Sequence, residues 1–496
     1  MRHLIIPESP TRRNLGSISL AAILLLVGLL MLVLVQPVSG ASTKKPPIVL
    51  GMFTPLSGSS SATGIPAANG VQTWVAQTNA KGGINGHLIK LITLDDAGIP
   101  SQAVSDVQRL ISVNHVMAII CGSTSGDTQA VLPLINETKT PFLSCISSDP
   151  ALLTPFSKYV YSVYANENDQ AQGIATYIGS KIQSTRPAII YNNSDYGVAG
   201  FDATTAALKA KYNLSFVDAQ EYNTGAVDFT SELLNIEQSN PDSLLIQAYP
   251  AEVGIIVRQA EQLGMNVPFI GGGATPTSLL PAAAGSASVG LKAIWVFPTL
   301  PVPSNSAVRN YIGLLKKYVD QSGIPSGRPS LYDMTGYCAG TIMGEALSNA
   351  GVTPTQGSLL SALNKIKNFT PGNGMCFPVS YTDSNHSGSS ATTFVTINKS
   401  LNFAMDNAAA YSAVVSRITG VAVPGRRVVM RVLGSNFSGN PEITSNAAGT
   451  TVRLAKTSSR VLTLLVTSRA GTGKGVHLLT IGFATGQVLK IRYNVR

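Results

Sequence analysis

From Ile48 onward the chain alternates short β-branched runs with amphipathic stretches, a pattern that admits little besides parallel βαβ units. Pro47 to Met52 reads as a strand. The next stretch places Val71, Trp74, Val75 and Thr78 at helical spacing and stops at Lys81-Gly82-Gly83. Leu88 to Leu94 is a second strand closing on Asp95-Asp96, whose adjacent carboxylates read as a strand-end cap. A helix carrying Ala103, Val107, Leu110 and Ile111 and a strand from Val116 to Ile120 follow. A second block repeats the pattern with strands at Ala188 to Tyr191, Ser243 to Ala248 and Phe269 to Gly271. Its helices run from Gly197 to Tyr212 and from Glu252 to Leu263. Uninterrupted apolar strands of this kind are covered by helices on both faces.

One open sheet rarely absorbs so many strands, so the pattern predicts two doubly wound α/β lobes. Ligands of open parallel sheets sit beyond the carboxyl ends of the strands. The loops after Met52, Cys121, Cys145, Tyr191, Ala248 and Gly271 are therefore the candidate site. Around Arg417 the texture changes to short alternating runs separated by Gly, Ser and Asn turns, which predicts a small β-sandwich over 415–496.

The formal charge of +10 is unevenly placed. From Arg417 to Arg496 there are twelve Lys and Arg against one acid, Glu442, whereas the central body is mildly acidic. That distribution excludes a global nucleic-acid role and points any anionic partner, a cell-wall polymer or membrane surface, to the C-terminal region. Residues 1–40 read as an export signal: Arg2, Arg12 and Arg13, an apolar run from Ile18 to Val35, then Val38-Ser39-Gly40-Ala41. The run is also nearly long enough for an uncleaved membrane anchor. No cysteine follows it closely enough to take a lipid. The chain is expected to be exported, extracellular or at the cell surface.

An oxidising compartment permits disulfides, and four cysteines allow three pairings that sequence does not decide. Cys121 and Cys145 end successive apolar strands while Cys338 and Cys376 lie later, which favours Cys121 with Cys145 and Cys338 with Cys376. Buried thiols are the alternative. Five His residues with no nucleophile elbow, phosphate loop or zinc spacing point away from an enzyme, a metal site or a cofactor.

Several segments occur in family order: Gly51 to Gly58 (GMFTPLSG), Asn79 to Gly86 (NAKGGING), Gly122-Ser123-Thr124-Ser125, Tyr196-Gly197, Phe229 within VDFTSEL, Pro241-Asp242 and Tyr332-Asp333. Over roughly residues 46 to 400 the chain resembles the type I periplasmic solute-binding proteins, the branched-chain amino-acid binding family of ABC importers. The resemblance implies lobe 1 over about 46–165 and 290–345, and lobe 2 over about 166–289 and 346–410, joined by a hinge. It also implies capture of a small polar solute for an ABC permease.

Ser123, Thr124 and Ser125 fall in a loop that leads from a strand toward a helix, a seat for a carboxylate. Ser147 and Ser148 end the next strand and complete it. Each serine could instead be a helix cap or turn residue. The resemblance places Tyr196 on the cleft as an aromatic wall, and Tyr249, just after its strand, occupies a comparable lip; either could instead be a half-buried scaffold tyrosine. Gly273 and Thr275 fall in the loop after Gly271, and Tyr164 and Asn166 fall at the crossing between the lobes as hinge or rim candidates. Many relatives carry an acid after this last strand to pair with an α-ammonium, but here the chain reads Gly272-Gly273-Ala274-Thr275-Pro276. Either Asp195, Asp169, Glu167 or Glu252 substitutes, or the ligand is a short carboxylate or amide rather than an amino acid. A surface adhesion or scaffold protein and a sensor ectodomain are the rival functions. The C-terminal region resembles a TIG-type immunoglobulin-like domain through Ile418-Thr419-Gly420, Leu433 to Gly439 and His477 to Ile481.

Overall fold

The computed structural model describes residues 45–319, 329–406, 414–435, 441–457, 461–482 and 488–496. The expected export signal lies outside them. Strands β1 (Ile48–Thr54), β2 (Ile89–Asp95), β3 (Ala118–Cys121), β4 (Phe142–Ser144) and β5 (Val160–Ser162) form a parallel sheet in the order β2-β1-β3-β4-β5. Helices α1 (Ser61–Ala80), α2 (Pro100–Ser112) and α3 (Ser125–Thr138) follow β1, β2 and β3 in turn. Leu50 and Met52 of β1 face one apolar core and Phe53 the opposite one, as expected of a sheet covered on both sides. At the end of β2, Asp95 accepts the backbone N–H groups of Leu56 and Ala97 at 2.8 and 2.9 Å, so this carboxylate caps a strand end.

The chain then crosses into α4 (Glu167–Thr176) and a second sheet of seven strands, β6 (Pro187–Asn192), β7 (Asp218–Tyr222), β8 (Ser243–Gln247), β9 (Phe269–Gly271), β10 (Lys292–Trp295), β11 (Thr393–Ile397) and β12 (Phe403–Met405). Their order is β12-β11-β10-β9-β8-β6-β7, with β6 to β10 parallel and the last two strands antiparallel. Helices α5 (Asp195–Tyr212), α6 (Thr230–Gln238), α7 (Pro250–Gln262) and α8 (Leu279–Ala284) are its connections.

The lobe boundaries differ from those expected. Residues 290–297 belong to lobe 2, because β10 pairs with β9 and extends that sheet. Helices α9 (Ser306–Tyr318) and α10 (Leu331–Asn349) pack on α1 of lobe 1, within or close to the 290–345 segment assigned there, whereas α11 (Gln356–Asn364), expected in lobe 2, packs on α10 and so serves lobe 1. The chain returns to the second sheet only at β11. Apolar runs reveal a strand but not which sheet edge it completes.

Two disulfides join Cys121 to Cys145 and Cys338 to Cys376. The first ties the end of β3 to the residue after β4, with Cα atoms 4.4 Å apart, directly beneath the loops that carry the candidate serines. The C-terminal residues form a four-stranded antiparallel sheet, β13-β14-β17-β16, and a three-stranded one, β15-β18-β19. The strands are β13 (Val414–Thr419), β14 (Arg427–Ser435), β15 (Glu442–Ser445), β16 (Thr450–Thr457), β17 (Val461–Ser468), β18 (Gly475–Gly482) and β19 (Val488–Val495). Met430, Leu464, Ile481 and Tyr493 bring both sheets into one apolar core, giving an all-β unit.

Helices α1 and α10 approach so closely that side chains have no room at their crossing. A Cβ on Gly336 would stand 2.2 Å from the carbonyl oxygen of Ala67, and one on Gly70 would stand 2.2 Å from that of Asp333. Backbone cannot yield as a side chain can, so Gly336→Ala should destabilise the body by about 1–3 kcal/mol. Urea unfolding measures this, and a variant as stable as the parent would disprove the tight crossing.

Candidate functional site

The carboxyl ends of β3 and β4 and the opposing loops of the second sheet enclose one cavity. Thr124 and Ser125 at the start of α3, Ile146 and Ser148 after β4, and Tyr164 at the crossing supply much of one wall. Gln170 of α4, Tyr196 of α5, Tyr249 before α7, and Gly273 and Ala274 after β9 supply the other. Thr63, Val296, Leu331 and Tyr332 complete the lining. The space left between these walls is about 20 Å³, room for little more than one water, so the two lobes meet closely here. Ser125 and Tyr196 are 2% and 5% exposed and belong to different lobes, yet they line this one space.

The hydroxyls around α3 are not equivalent. Ser123 and Thr124 both donate to Oδ2 of Asp127, at 3.0 and 2.6 Å, which satisfies a buried carboxylate in the first turn. Ser147 donates to Oγ of Ser125 at 3.3 Å, leaving the Ser125 proton free to point elsewhere. Ser148 donates to Oε1 of Glu167 at 2.6 Å. The rings of Tyr196 and Tyr249 stack with centroids 5.3 Å apart, and the Tyr196 hydroxyl accepts the N–H of Ala274 at 3.1 Å. Burial pushes the Tyr164, Tyr196, Tyr249 and Tyr332 phenols well above their ordinary range, so all four stay protonated.

Of the residues expected at the site, Thr124, Ser125, Ser148, Tyr164, Tyr196, Tyr249 and Gly273 line the cavity. Four do not, because their side chains are engaged or packed elsewhere. Ser123 is held by Asp127 and Ser147 lies behind Ser125. Asn166 caps α4 by accepting the Asp169 N–H at 3.1 Å. Thr275 is fully buried against Gly271, closing the turn after β9. Gln170, Val296, Leu331 and Tyr332 are lining residues that the sequence reading did not single out as site residues. Only Tyr332 carried a signal, as one of the ordered family matches.

None of the four acids considered as a substitute lines the cavity. Glu252 caps α7 through the Tyr249 N–H at 3.0 Å and also accepts from the Tyr222 hydroxyl at 2.7 Å and the Gly225 N–H at 2.7 Å. Asp195 is exposed, at the start of α5, and Asp169 sits in the first turn of α4, its carboxyl pushed up to about 6 by burial. Glu167 comes nearest. It is 1% exposed behind the wall, with Ser148 on one oxygen and Nε2 of Gln247 on the other at 3.1 Å. Desolvation outweighs both donors and pushes its carboxyl up to about 8.

Residues 47–402 match the family described as periplasmic binding protein. The chain belongs to this family. It is 24% identical over 327 residues to the Leu/Ile/Val-binding protein homolog 3 of Brucella melitensis, covering 65% of this chain and 85% of that one. To the Leu/Ile/Val-binding protein of Escherichia coli it is 27% identical over 256 residues, 51% of this chain and 68% of the relative. The fold matches a branched-chain amino acid ABC transporter protein of Thermus thermophilus with bound valine, at TM-score 0.67 and 20% identity over 73% of this chain and 96% of that one. It also matches the branched-chain amino acid transporter substrate binding protein of Streptococcus pneumoniae in complex with isoleucine, at TM-score 0.63 and 22% identity over 72% and 97% of the two chains.

Membership assigns this binding protein a solute-binding role rather than an enzymatic one, and an exported location. Among the described residues no helix is long and apolar enough to cross a membrane. The anchor considered for Ile18 to Val35 lies outside those residues.

The burial of Glu167 has a consequence for stability. Between about pH 4.5, the ordinary glutamate value, and about 8, the folded protein holds a proton that the unfolded chain releases. Folding then takes up a proton, so stability falls as pH rises through that window. Urea unfolding at pH 5 and pH 8 should show a smaller loss for Glu167→Gln than for the parent. Equal losses would mean that Glu167 is ionised in the fold.

Proposed function

We propose that the protein captures a small polar solute between its lobes and presents it to an ABC permease. The observation that carries this reading is the cavity whose walls come from both lobes and combine polar groups with stacked rings. An acceptor oxygen of the ligand, from a carboxylate or a carbonyl, fits the start of α3. There, the first-turn N–H groups have no partner within the helix, and Ser125 lines the cavity. Tyr196, Tyr249 and Tyr332 cover the apolar part of the solute. The relatives named for Leu, Ile and Val favour an amino acid, whereas the absence of an acid at Gly272-Gly273 favours a ligand without an ammonium.

The C-terminal unit is read as a TIG-type immunoglobulin-like domain that holds the protein at an anionic cell-wall polymer or membrane surface. Arg427, Arg431, Arg453 and Lys456 are exposed on its four-stranded sheet. Such contact is screened by salt.

A thermal-melt screen of the chain from residue 41 against amino acids, short carboxylates, amides and urea tests the trap. A ligand at a hundredfold its Kd stabilises the folded state by about 2.7 kcal/mol. Ser125→Val should abolish that shift without lowering the unliganded melt by more than a few degrees. A panel in which no compound raises the melting temperature would defeat the reading.

A further inference from the structure

The C-terminal unit gathers cations on one face. In its four-stranded sheet, Arg427 and Arg431 of β14, Arg453 and Lys456 of β16 and Arg417 of β13 are all exposed. Strand alternation and register put the five on the side away from the apolar core, toward which Met430, Val432, Leu462 and Leu464 point. Two of them depend on irregularities. A bulge between Leu454 and Lys456 brings Lys456 opposite Thr463, and another between Val415 and Arg417 brings Arg417 opposite Leu433. Unbroken alternation would turn both side chains into the core, so each bulge re-aims a cation outward. Glu442 is the only acid from residue 407 to the end, and it stands on β15 of the other sheet. Among the described residues none of the five cations is in a salt bridge.

The register lays these cations beside a lane. β17 runs between β14 and β16, and its outward residues Thr463, Leu465 and Thr467 carry no charge. Arg427 and Arg431 flank it on one side and Arg453 and Lys456 on the other, in rows two strands and about 10 Å apart. Along the strands Arg427 is level with Thr467, Arg453 with Leu465, and Arg431 and Lys456 with Thr463. Successive levels are two residues apart, so a cation recurs about every 7 Å. Three bonds of an extended chain span about 3.5 Å, hence six span about 7 Å. Six bonds make one repeat of a glycerol phosphate polymer, which carries one charge per repeat. The arginine fork suits the two free oxygens of each phosphodiester. These four strands hold no aromatic residue to stack on a base or to anchor in a bilayer. Among the described residues Val429 is the one large apolar side chain well exposed on this face. Resting on the surface-attachment reading of this unit above, we propose that the four-stranded sheet seats an extended phosphodiester polymer along β17, its phosphates held by Arg427, Arg431, Arg453 and Lys456.

Isothermal titration of the chain from residue 41 with soluble poly(glycerol phosphate), at physiological salt, tests the assignment. The double variant Arg431→Glu/Arg453→Glu should weaken binding at least about tenfold. Lys490→Glu/Arg492→Glu, on β19 of the other sheet, changes the net charge equally and should leave binding within about twofold of the parent. All four side chains are exposed, and circular dichroism melts confirm that both variants fold. Equal losses in the two variants would overturn the lane while leaving attachment to an anionic surface standing. Tighter binding of phosphatidylglycerol vesicles or of polygalacturonate than of poly(glycerol phosphate) would do the same. Tighter binding of single-stranded DNA, or no binding by any polymer or vesicle, would overturn both.

Discussion

A parallel pair of strands cannot be closed by a tight turn; the chain must leave at the carboxyl end, cross over as a helix and return. In this protein that requirement operates twice, once in the five-stranded sheet and once in the seven-stranded sheet, so both carry their crossover loops at one end. The site is built where those ends face each other. Ser125 follows β3, Ser148 follows β4, Tyr249 follows β8 and Gly273 follows β9. The Cys121–Cys145 disulfide acts within this frame, holding the β3 and β4 loops at a fixed spacing so that Ser147 can reach Ser125.

Within the cavity, burial and hydrogen bonding compete for each ionisable group. Asp127 keeps two hydroxyl donors, yet burial still raises its carboxyl above the usual range. Glu167 has two donors as well and is raised further. Asp195, which remains exposed, shows what the interior would otherwise have to accommodate. The outcome is a pocket whose polarity comes from hydroxyls, amide groups and a helix terminus instead of formal charges. Such a lining discriminates by hydrogen-bond direction, since each donor or acceptor left unmatched by a wrong ligand costs its full desolvation.

Strand positions were legible because apolar runs are intrinsic to buried parallel strands: Ser243 to Ala248 and Phe269 to Gly271 lie within a residue of β8 and β9. The carboxyl-end rule then led to the right loops. It could not rank residues inside them. Ser123 and Ser125 are two apart and chemically identical, and only the position of Asp127 one turn on makes one a structural donor and the other a cavity hydroxyl. Asn166 and Gln170 reverse the expectation in the same way: the residue at the hinge became a helix cap, while the one four positions later faces the cavity. The lobe boundary was illegible for a longer-range reason. Residues 356–364 serve lobe 1 because α11 packs on α10, which is itself held there by the glycine-lined crossing with α1, a contact between segments over two hundred residues apart.

Closure brings two helix starts together. Asp195 begins α5 in lobe 2, and its carboxylate lies 3.1 Å from where a Cβ on Gly126, in the first turn of α3 in lobe 1, would stand. One carboxylate at two helix N-termini is favourable, but for an exposed group that is worth only about 0.3–1 kcal/mol. Against it stand the burial of Asp127 and Asp149, both of which also feel the negative charge of Asp195. The contacts around Asp195 therefore combine terms of opposite sign. A solute that touches both walls adds its contacts only when the lobes meet. That differential is what shifts the equilibrium to the closed form and makes closure report that the site is filled.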